Sequence, residues 1–279
     1  MAVSALIPEI WSASVLRAFE KASVFGACLS RAYEGDAIKG NMVRVPKIAA
    51  VSVKPYVMRS EIVYDDIDSS VLEVLIDQQS YWALRCEDIE KTQAAPAFLD
   101  SATAAAGYAL RDTIDVYTAD ILDAGAGITS GLGTDITPLS IASGDVVGLF
   151  ALLGQRMAES NIPPKGRWAV VPPWLHKKLV LAKVERETPN TEIVSDGYVG
   201  RFLGFDILVS NNVPNAAGNY SLLAGVADCG TMITQINETE ALRDPKQFGD
   251  LVRGLAVYTS KVLTPEALAK AVITEAAES

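Results

Sequence analysis

Few side chains in this sequence are suited to acid–base or nucleophilic chemistry. His176 is the one histidine among 279 residues, so any Ser–His–Asp or Cys–His arrangement would have to use it. It stands beside Lys177 and Lys178 in a segment that we interpret as a surface helix, where all three side chains are expected to be exposed. Metal sites built on histidine are almost excluded by the same count. We therefore predict no catalytic residue and no metal site.

Two other patterns resemble functional motifs only superficially. Glu87, Asp88 and Glu90 form a carboxylate cluster, and paired carboxylates hydrolyse glycosides in some enzymes. Adjacent positions on a strand point to opposite faces, so we interpret the cluster as a solvated strand end. The glycines of residues 125–134 suggest a nucleotide-binding loop, but such a loop leaves a strand, whereas this one leaves a predicted helix. We predict a flexible hinge there and no cofactor.

The composition argues against several classes of protein. Acidic residues outnumber basic ones by 34 to 24, a formal net charge of -10, which disfavours tight nucleic-acid binding by the whole chain. Cys28, Cys86 and Cys229 are far apart, so neither a zinc site nor a disulfide framework is expected. No apolar run approaches the ~20 residues that cross a bilayer, and the N-terminus lacks the pattern of a signal peptide. We expect a soluble intracellular protein, or one released by lysis, with no membrane partner.

The clearest prediction from the sequence is a long helix over residues 93–123. A helix of about 28 residues would be a rod of roughly 40 Å, more than twice the usual length. Asp115 and Thr118 lie mostly off its apolar stripe. The stripe itself recurs at intervals of three and four and predicts one buried face: Leu99, Thr103, Ala106, Leu110, Ile114, Tyr117 and Ile121.

Two segments that precede this helix have little core of their own. Residues 7–26 form a predicted amphipathic helix that carries Trp11 and Phe19, and that either docks on its own domain or lies as an arm on a neighbouring subunit. From Asn41 the apolar period changes to two, which indicates half-exposed strands. We predict a long two-stranded projection over residues 35–69, too thin to be stable alone.

The chain after the long helix divides into two further parts. Residues 140–229 alternate short helices with sparsely charged strands and predict a compact α/β module. Residues 231–271 show the alternation of an antiparallel sheet. In the simplest arrangement, those last strands pair with the strands before the long helix. The first domain is then discontinuous, and the α/β module is inserted in it.

Six segments in this order resemble the major capsid protein of tailed double-stranded DNA bacteriophages, whose fold is shared by encapsulin nanocompartments. The likeness covers nearly the whole chain. The segments are IPEIWSASVLRAFEKASVF, GDAIKGNMVRVPKI, IDQQSYWALRCEDIEKTQ, IPPKGRWAVVPPWL, GYVGRFLGFDILVSNNVP and DLVRGLAVYTSKVLTPEAL.

The resemblance implies an α+β capsid fold and a structural role, with no enzymatic activity. Copies would assemble through pentamers and hexamers into an icosahedral head that encloses double-stranded DNA, formed in the cytoplasm of the bacterial host and retained in the virion. The implied divisions are an N-terminal arm (1–35), an extended β loop (36–70), a peripheral domain (71–139 and 230–279) with spine helix 93–123, and an inserted α/β axial domain (140–229).

The same resemblance suggests residues and partners for assembly. A portal is expected, and because the arm begins within ten residues of Met1 we expect a separate scaffolding protein, or none. DNA is expected to be enclosed without tight specific binding. Spine-helix packing is expected to use Leu110, Ile114 and Tyr117. The candidate intersubunit contacts are Trp11, Phe19, Arg44, Lys47, Lys54 and Arg59.

Two alternatives stay open at the level of sequence. One is an encapsulin shell, which differs from a phage head in holding a cargo protein with a docking tail instead of DNA. The other is an α/β enzyme, for which His176 is the residue to test.

Overall fold

The computed structural model describes residues 24–35, 41–48, 53, 55, 58–59, 69–87, 97–186, 200–244 and 247–276. The helices are α1 (Phe25–Cys28), α2 (Ala97–Gly125), α3 (Val146–Glu159) and α4 (Pro173–Arg186). The strands are β1 (Met42–Ile48), β2 (Ser69–Leu75), β3 (Gln78–Glu87), β4 (Leu139–Ile141), β5 (Arg167–Val171), β6 (Arg201–Phe202), β7 (Phe205–Val209), β8 (Asn215–Ala216), β9 (Asn219–Val226), β10 (Gly230–Arg243), β11 (Gly249–Val262) and β12 (Leu268–Glu275).

A seven-stranded sheet forms the body of the α/β module. Its strand order is β4-β12-β9-β5-β7-β6, and β8 pairs with β9. Alternation along β5 supplies both faces: Ala169 and Val171 join one hydrophobic cluster, whereas Trp168 and Val170 join another. Helices α3 and α4 cover the first face with Phe150, Leu153, Leu175 and their neighbours.

The long helix α2 covers the opposite face of that sheet and also packs on a second sheet. The second sheet is antiparallel, with order β10-β11-β3. Leu110 and Ile114 share their cluster with Leu223 and Leu268 of the large sheet and with Ala256 of β11. The helix predicted over residues 93–123 is therefore present at Ala97–Gly125 and lies between two sheets.

Contact on two sides makes the buried face of α2 wider than the predicted stripe. Asp115 and Thr118, which lie mostly off that stripe, are 1% and 0% exposed. Each finds a partner, as burial of a polar group requires: Asp115 Oδ2 accepts the Val24 N–H at 3.0 Å, and the Thr118 hydroxyl shares a 2.9 Å hydrogen bond with Ser260 of β11. The stripe therefore covers only part of the buried face of this helix.

The glycine-rich segment after α2 is bound along β12 and is not a free hinge. Gly127 N–H donates to the Pro265 carbonyl at 3.0 Å, and Ile128 exchanges backbone hydrogen bonds with Leu268 and Lys270. A Cβ at Gly127 would stand 2.6 Å from the Pro265 oxygen, so glycine permits this close approach. The predicted flexible hinge is replaced by a packed connection.

The last strand differs from the expected division of the chain. β10 and β11 do join β3, the strand before the long helix, as the alternation indicated. β12, however, pairs with β9 antiparallel and with β4 in parallel, inside the seven-stranded sheet. The α/β module thus takes its central part from an inserted segment and one strand from the C-terminal region.

Two buried cations hold loops of the α/β module. Lys178, expected at the surface, is 1% exposed and donates to the carbonyls of Ile141 at 2.9 Å and Ala276 at 3.2 Å. Arg167 donates to the carbonyls of Gly154, Ile162 and Pro163 at 3.2, 2.6 and 2.9 Å. Loss of hydration lowers the pKa of Arg167 below its ordinary value. His176 is half-buried on the same helix as Lys178.

Candidate assembly surfaces

The β1–β2 hairpin is seated on the second sheet, on the face opposite α2. Its seven register pairs run from Met42 with Leu75 to Ile48 with Ser69. Lys261 Nζ on β11 donates to the Glu73 carbonyl at 3.0 Å. The inward side chains form a small cluster with the sheet: Val43, Val45, Val74, Ile76, Ile233 and Val257. The hairpin thus has a fixed base on the second sheet.

Residues 24–35 form a strap that crosses the edge of β10 from one face of the sheet to the other. Phe25 packs in the cluster on the α2 face, and Tyr33 packs in the cluster under the hairpin. Between them the Ser30 carbonyl accepts the Thr231 hydroxyl at 3.0 Å. The Glu34 carboxylate accepts both the hydroxyl and the backbone N–H of Thr234. The strap therefore blocks part of an edge strand that would otherwise offer unpaired backbone groups.

The cysteine thiols of the strap and of the neighbouring turn are unreactive near neutral pH. Cys28 and Cys229 are free and buried. Burial raises the pKa of both thiols, that of Cys229 to about 12. Because the thiolate is the reactive form, neither side chain is a nucleophile near neutral pH. Within the described ranges, no group of three or more His, Cys, Asp or Glu side chains is arranged to hold a metal ion.

Three of the predicted intersubunit residues lie on the hairpin or its extension. Arg44 of β1 pairs with Glu73 of β2 at 3.1 Å, with both side chains more than half exposed. Lys47 borders a cavity of about 290 Å³ at the hairpin base, beside Tyr33 and Asp228. Arg59 is exposed, with φ of 67°. Trp11, Phe19 and Lys54 lie outside the described residues.

The predicted packing residues of the spine helix fall on the cluster between the two sheets. Leu110 and Ile114 are 7% and 1% exposed. Tyr117 is half-buried, and its ring meets that of Tyr258 edge-to-face with centroids 5.5 Å apart. Burial is the main cause that raises the pKa of Tyr117 above its ordinary value. These three side chains therefore connect α2 mainly to β11 and the large sheet.

Sequence reasoning missed the exposed apolar side chains of the second sheet. Tyr81 is 80% exposed opposite Leu255, on the face that the hairpin covers only at its other end. On the same face Leu242 of β10 lies opposite Leu251 of β11 and is 44% exposed. The Arg253–Glu240 ion pair lies between these two positions, so the apolar side chains do not form one continuous area. Phe248, in the turn between β10 and β11, is 84% exposed.

Two polar contacts fix α2 to the α/β module at separate points along the helix. Asp112 Oδ1 accepts the Asn212 amide at 2.7 Å. Asp123 Oδ2 pairs with Lys270 of β12 at 2.8 Å, with both side chains less than a quarter exposed. The long helix and the α/β module are thus joined by polar pairs as well as by the cluster between them. None of the helices described is long and apolar enough to span a bilayer.

Comparisons with known proteins agree on one family. A family model described as Phage capsid protein matches residues 77–271. A chain from Mycobacterium phage Che8 superposes with a TM-score of 0.74 at 27% identity, over 90% of this chain and 91% of that one. The capsid of cyanophage P-SCSP1u gives 0.73 at 16% identity, over 91% and 89%. A virus-like particle from Pyrococcus furiosus gives 0.60 at 14% identity, over 95% and 99%. No curated protein matches the sequence.

Proposed function

We infer the role of this chain from the premise that it belongs to the phage capsid protein family. It is a structural protein of the bacteriophage capsid, a component of the virion and not an enzyme. Its mixed helix-and-sheet architecture is the tailed-phage capsid fold, and its copies form an oligomeric shell. The observation that carries this conclusion is a family match over most of the chain combined with superposition over 90% of it.

We propose that the shell is an icosahedral head built of pentamers and hexamers around double-stranded DNA. Closed symmetry gives every subunit identical neighbours, which can cover apolar side chains exposed on one subunit, such as Val53 and Met58. Assembly in the host cytoplasm, a portal and a separate scaffolding protein complete the proposal. The net charge of -10 suits a container that does not hold its DNA fast, since phosphate binding needs clustered cations.

We further propose that the extended loop of one subunit lies over the face of its neighbour's second sheet that carries Tyr81. Val53 and Met58 on the loop are 95% and 83% exposed and Tyr81 is 80% exposed, so both surfaces offer apolar side chains. Arg44 and Arg59 would then reach the same neighbour, as Lys47 and Lys54 would from nearby. Trp11 and Phe19 would contact a neighbour through the N-terminal arm.

The proposed division follows the sheets. Residues 1–35 and 36–70 are the arm and the extended loop, and residues 140–229 are the core of the axial domain. The peripheral domain keeps residues 71–139 with the spine helix, and its C-terminal part ends before β12, which pairs with β9 of the large sheet. We therefore assign Leu268–Glu275 to the axial domain. The sequence had led us to expect all residues after 229 in the peripheral domain.

Electron microscopy of the purified full chain tests the assembly. Closed shells whose five- and six-fold capsomers are resolved by image reconstruction are the expected result, and a homogeneous monomer under all assembly conditions would refute it. The content of the shell separates the phage head from an encapsulin compartment. Nuclease-protected DNA in particles from infected cells supports the head, whereas an enclosed enzyme with a docking tail supports the compartment.

A further inference from the structure

Two hairpins of the seven-stranded sheet share one turn geometry but differ in the residue at its first position. Leu203 and Gly204 join β6 to β7 with φ of 45° and 88°. Ala217 and Gly218 join β8 to β9 with φ of 54° and 91°. In both, the residues next to the turn are paired across the hairpin. A two-residue connection with positive φ at both positions is the type I′ turn.

Leucine is a poor residue for the first position of such a turn. The left-handed region brings Cβ against the following carbonyl, and Asn, Asp or Gly tolerate it far better than a bulky side chain. Leu203 is 52% exposed, so burial within the subunit offsets the strain only in part. Ala217 is exposed as well, but it presents a single methyl group. Local stability therefore does not explain why leucine occupies position 203.

The Leu203 turn stands on a rigid base at an open edge. β6 is the terminal strand of the path β4-β12-β9-β5-β7-β6, so its turn lies at the strand ends next to an open edge of the sheet. The flanking residues Phe202 and Phe205 pack edge-to-face on Phe150, with centroids 5.4 and 5.8 Å away. An exposed Arg201–Asp206 pair at 3.1 Å closes the hairpin on its other face. The leucine side chain is thus held at a fixed point outside the core.

We propose that Leu203 is an assembly anchor that inserts into an apolar site on a second copy of this chain, a proposal that rests on the capsid function proposed above. Strained residues that fold stability does not require persist at contact and functional sites. An apolar side chain that is exposed on the free subunit favours association when a partner removes it from water. The partner is a second copy because a capsid shell is built of copies of its subunit.

The test compares variants at the two matched turns. Leu203→Asn relieves the turn and removes the apolar anchor, whereas Ala217→Asn relieves the same kind of turn and changes no anchor. Both are expected to raise Tm by about 2–4 °C, the shift for a modest stabilisation in a chain of this size. Leu203→Asn alone is expected to raise the protein concentration needed for shell formation by on the order of 10-fold or more, from lost burial of a leucine. Sedimentation and electron microscopy, under conditions in which the wild type forms particles, measure that concentration.

Two further variants separate the anchor from other effects. Leu203→Met keeps an apolar side chain and is expected to assemble at the wild-type concentration. Leu203→Gly removes both the strain and the anchor, so it is expected to behave like Leu203→Asn even if the asparagine variant folds poorly. Wild-type assembly by both Leu203→Asn and Leu203→Gly would overturn the anchor while leaving the capsid function intact. An equal defect in Ala217→Asn would also overturn it, and a wild-type chain that never forms particles would overturn both proposals.

Discussion

Trp82 of β3 lies directly across the sheet from Gly254 of β11, and its indole occupies the space that a side chain at position 254 would need. The two residues are cross-strand partners on the face that packs towards α2. Glycine is ordinarily unfavourable inside a strand because it supplies no side chain to pack. Here the tryptophan supplies the missing contact from the neighbouring strand.

Substitution of Gly254 should therefore destabilise the second sheet. A Cβ at this position collides with the Trp82 ring, and overpacking of this kind costs about 1–3 kcal/mol. Gly254→Ala is expected to lower the denaturant midpoint accordingly. Ala83→Ser, at an exposed position on the same strand as Trp82, is the matched control and should change stability by less than about 0.5 kcal/mol. An unchanged midpoint for Gly254→Ala would show that the indole moves aside without cost.

An acidic residue on the buried side of the long helix should unfold the subunit. Leu110→Asp places an unpaired charge in the cluster between the two sheets, and such a charge has no compensating partner. We expect no soluble folded chain, and hence no shells, by circular dichroism and electron microscopy. Val116→Asp, at a position 42% exposed on the same helix, should fold. Normal shells from Leu110→Asp would show that this helix is not the spine of the subunit.

The buried ammonium group of Lys178 should contribute to stability through the two carbonyls that it joins. Lys178→Met keeps most of the side-chain volume but leaves the Ile141 and Ala276 carbonyls without this donor. Loss of a buried partner costs about 1–3 kcal/mol. Thermal unfolding should shift downward, and hydrogen exchange should quicken at the end of β12. The exposed neighbour is the control: Lys177→Met should leave both measurements unchanged, and equal effects for the two lysines would remove the special role of Lys178.

The buried thiols should make the subunit less stable at high pH. In the folded state the pKa of Cys229 is about 12 and that of Cys28 is also raised, whereas both start from 9.0 when exposed. The unfolded chain therefore loses thiol protons first, so stability is complete below about pH 9 and falls as pH rises towards 12. Urea titrations from pH 8 to 11 should show this slope, and the double variant Cys28→Ala, Cys229→Ala should reduce it. A slope unaffected by the double variant would assign the loss to other groups.

The parts of the fold that depend on local pattern were predictable. Apolar residues recur along the long helix at intervals of three and four, and β1 and β2 have a period of two, so the existence of these elements could be predicted within a few residues. The capsid fold was expected from the six segments, in order, that resemble the phage capsid family. Burial of polar residues was not predictable, because their partners lie far away in sequence: Asp115 is 91 residues from Val24, Thr118 is 142 from Ser260, and Lys178 is 98 from Ala276.

Candidate surfaces were predictable only in outline. The projection was recognisable from its sparse apolar anchors, which place Arg44 and Lys47 on a hairpin. The exposure of Phe248 and Tyr81 depends instead on where the hairpin stops covering the sheet, a tertiary property. The position of β12 is also a tertiary property, because its apolar sequence is compatible with either sheet. In the folded chain β12 pairs with β9, and the segment after α2 forms backbone hydrogen bonds along it.

The strap around β10 has a consequence for biosynthesis. Its hydrogen bonds to Thr231 and Thr234 join residues 201 and 200 positions apart, so they form only after nearly all of the subunit has left the ribosome, whereas Val24 and Phe25 can contact α2 earlier. A chain truncated after Cys229 should leave residues 30–35 open to protease, whereas protection of that segment in the truncated chain would contradict this order. Completion of β10 is therefore required before residues 30–35 can take their native position along its edge.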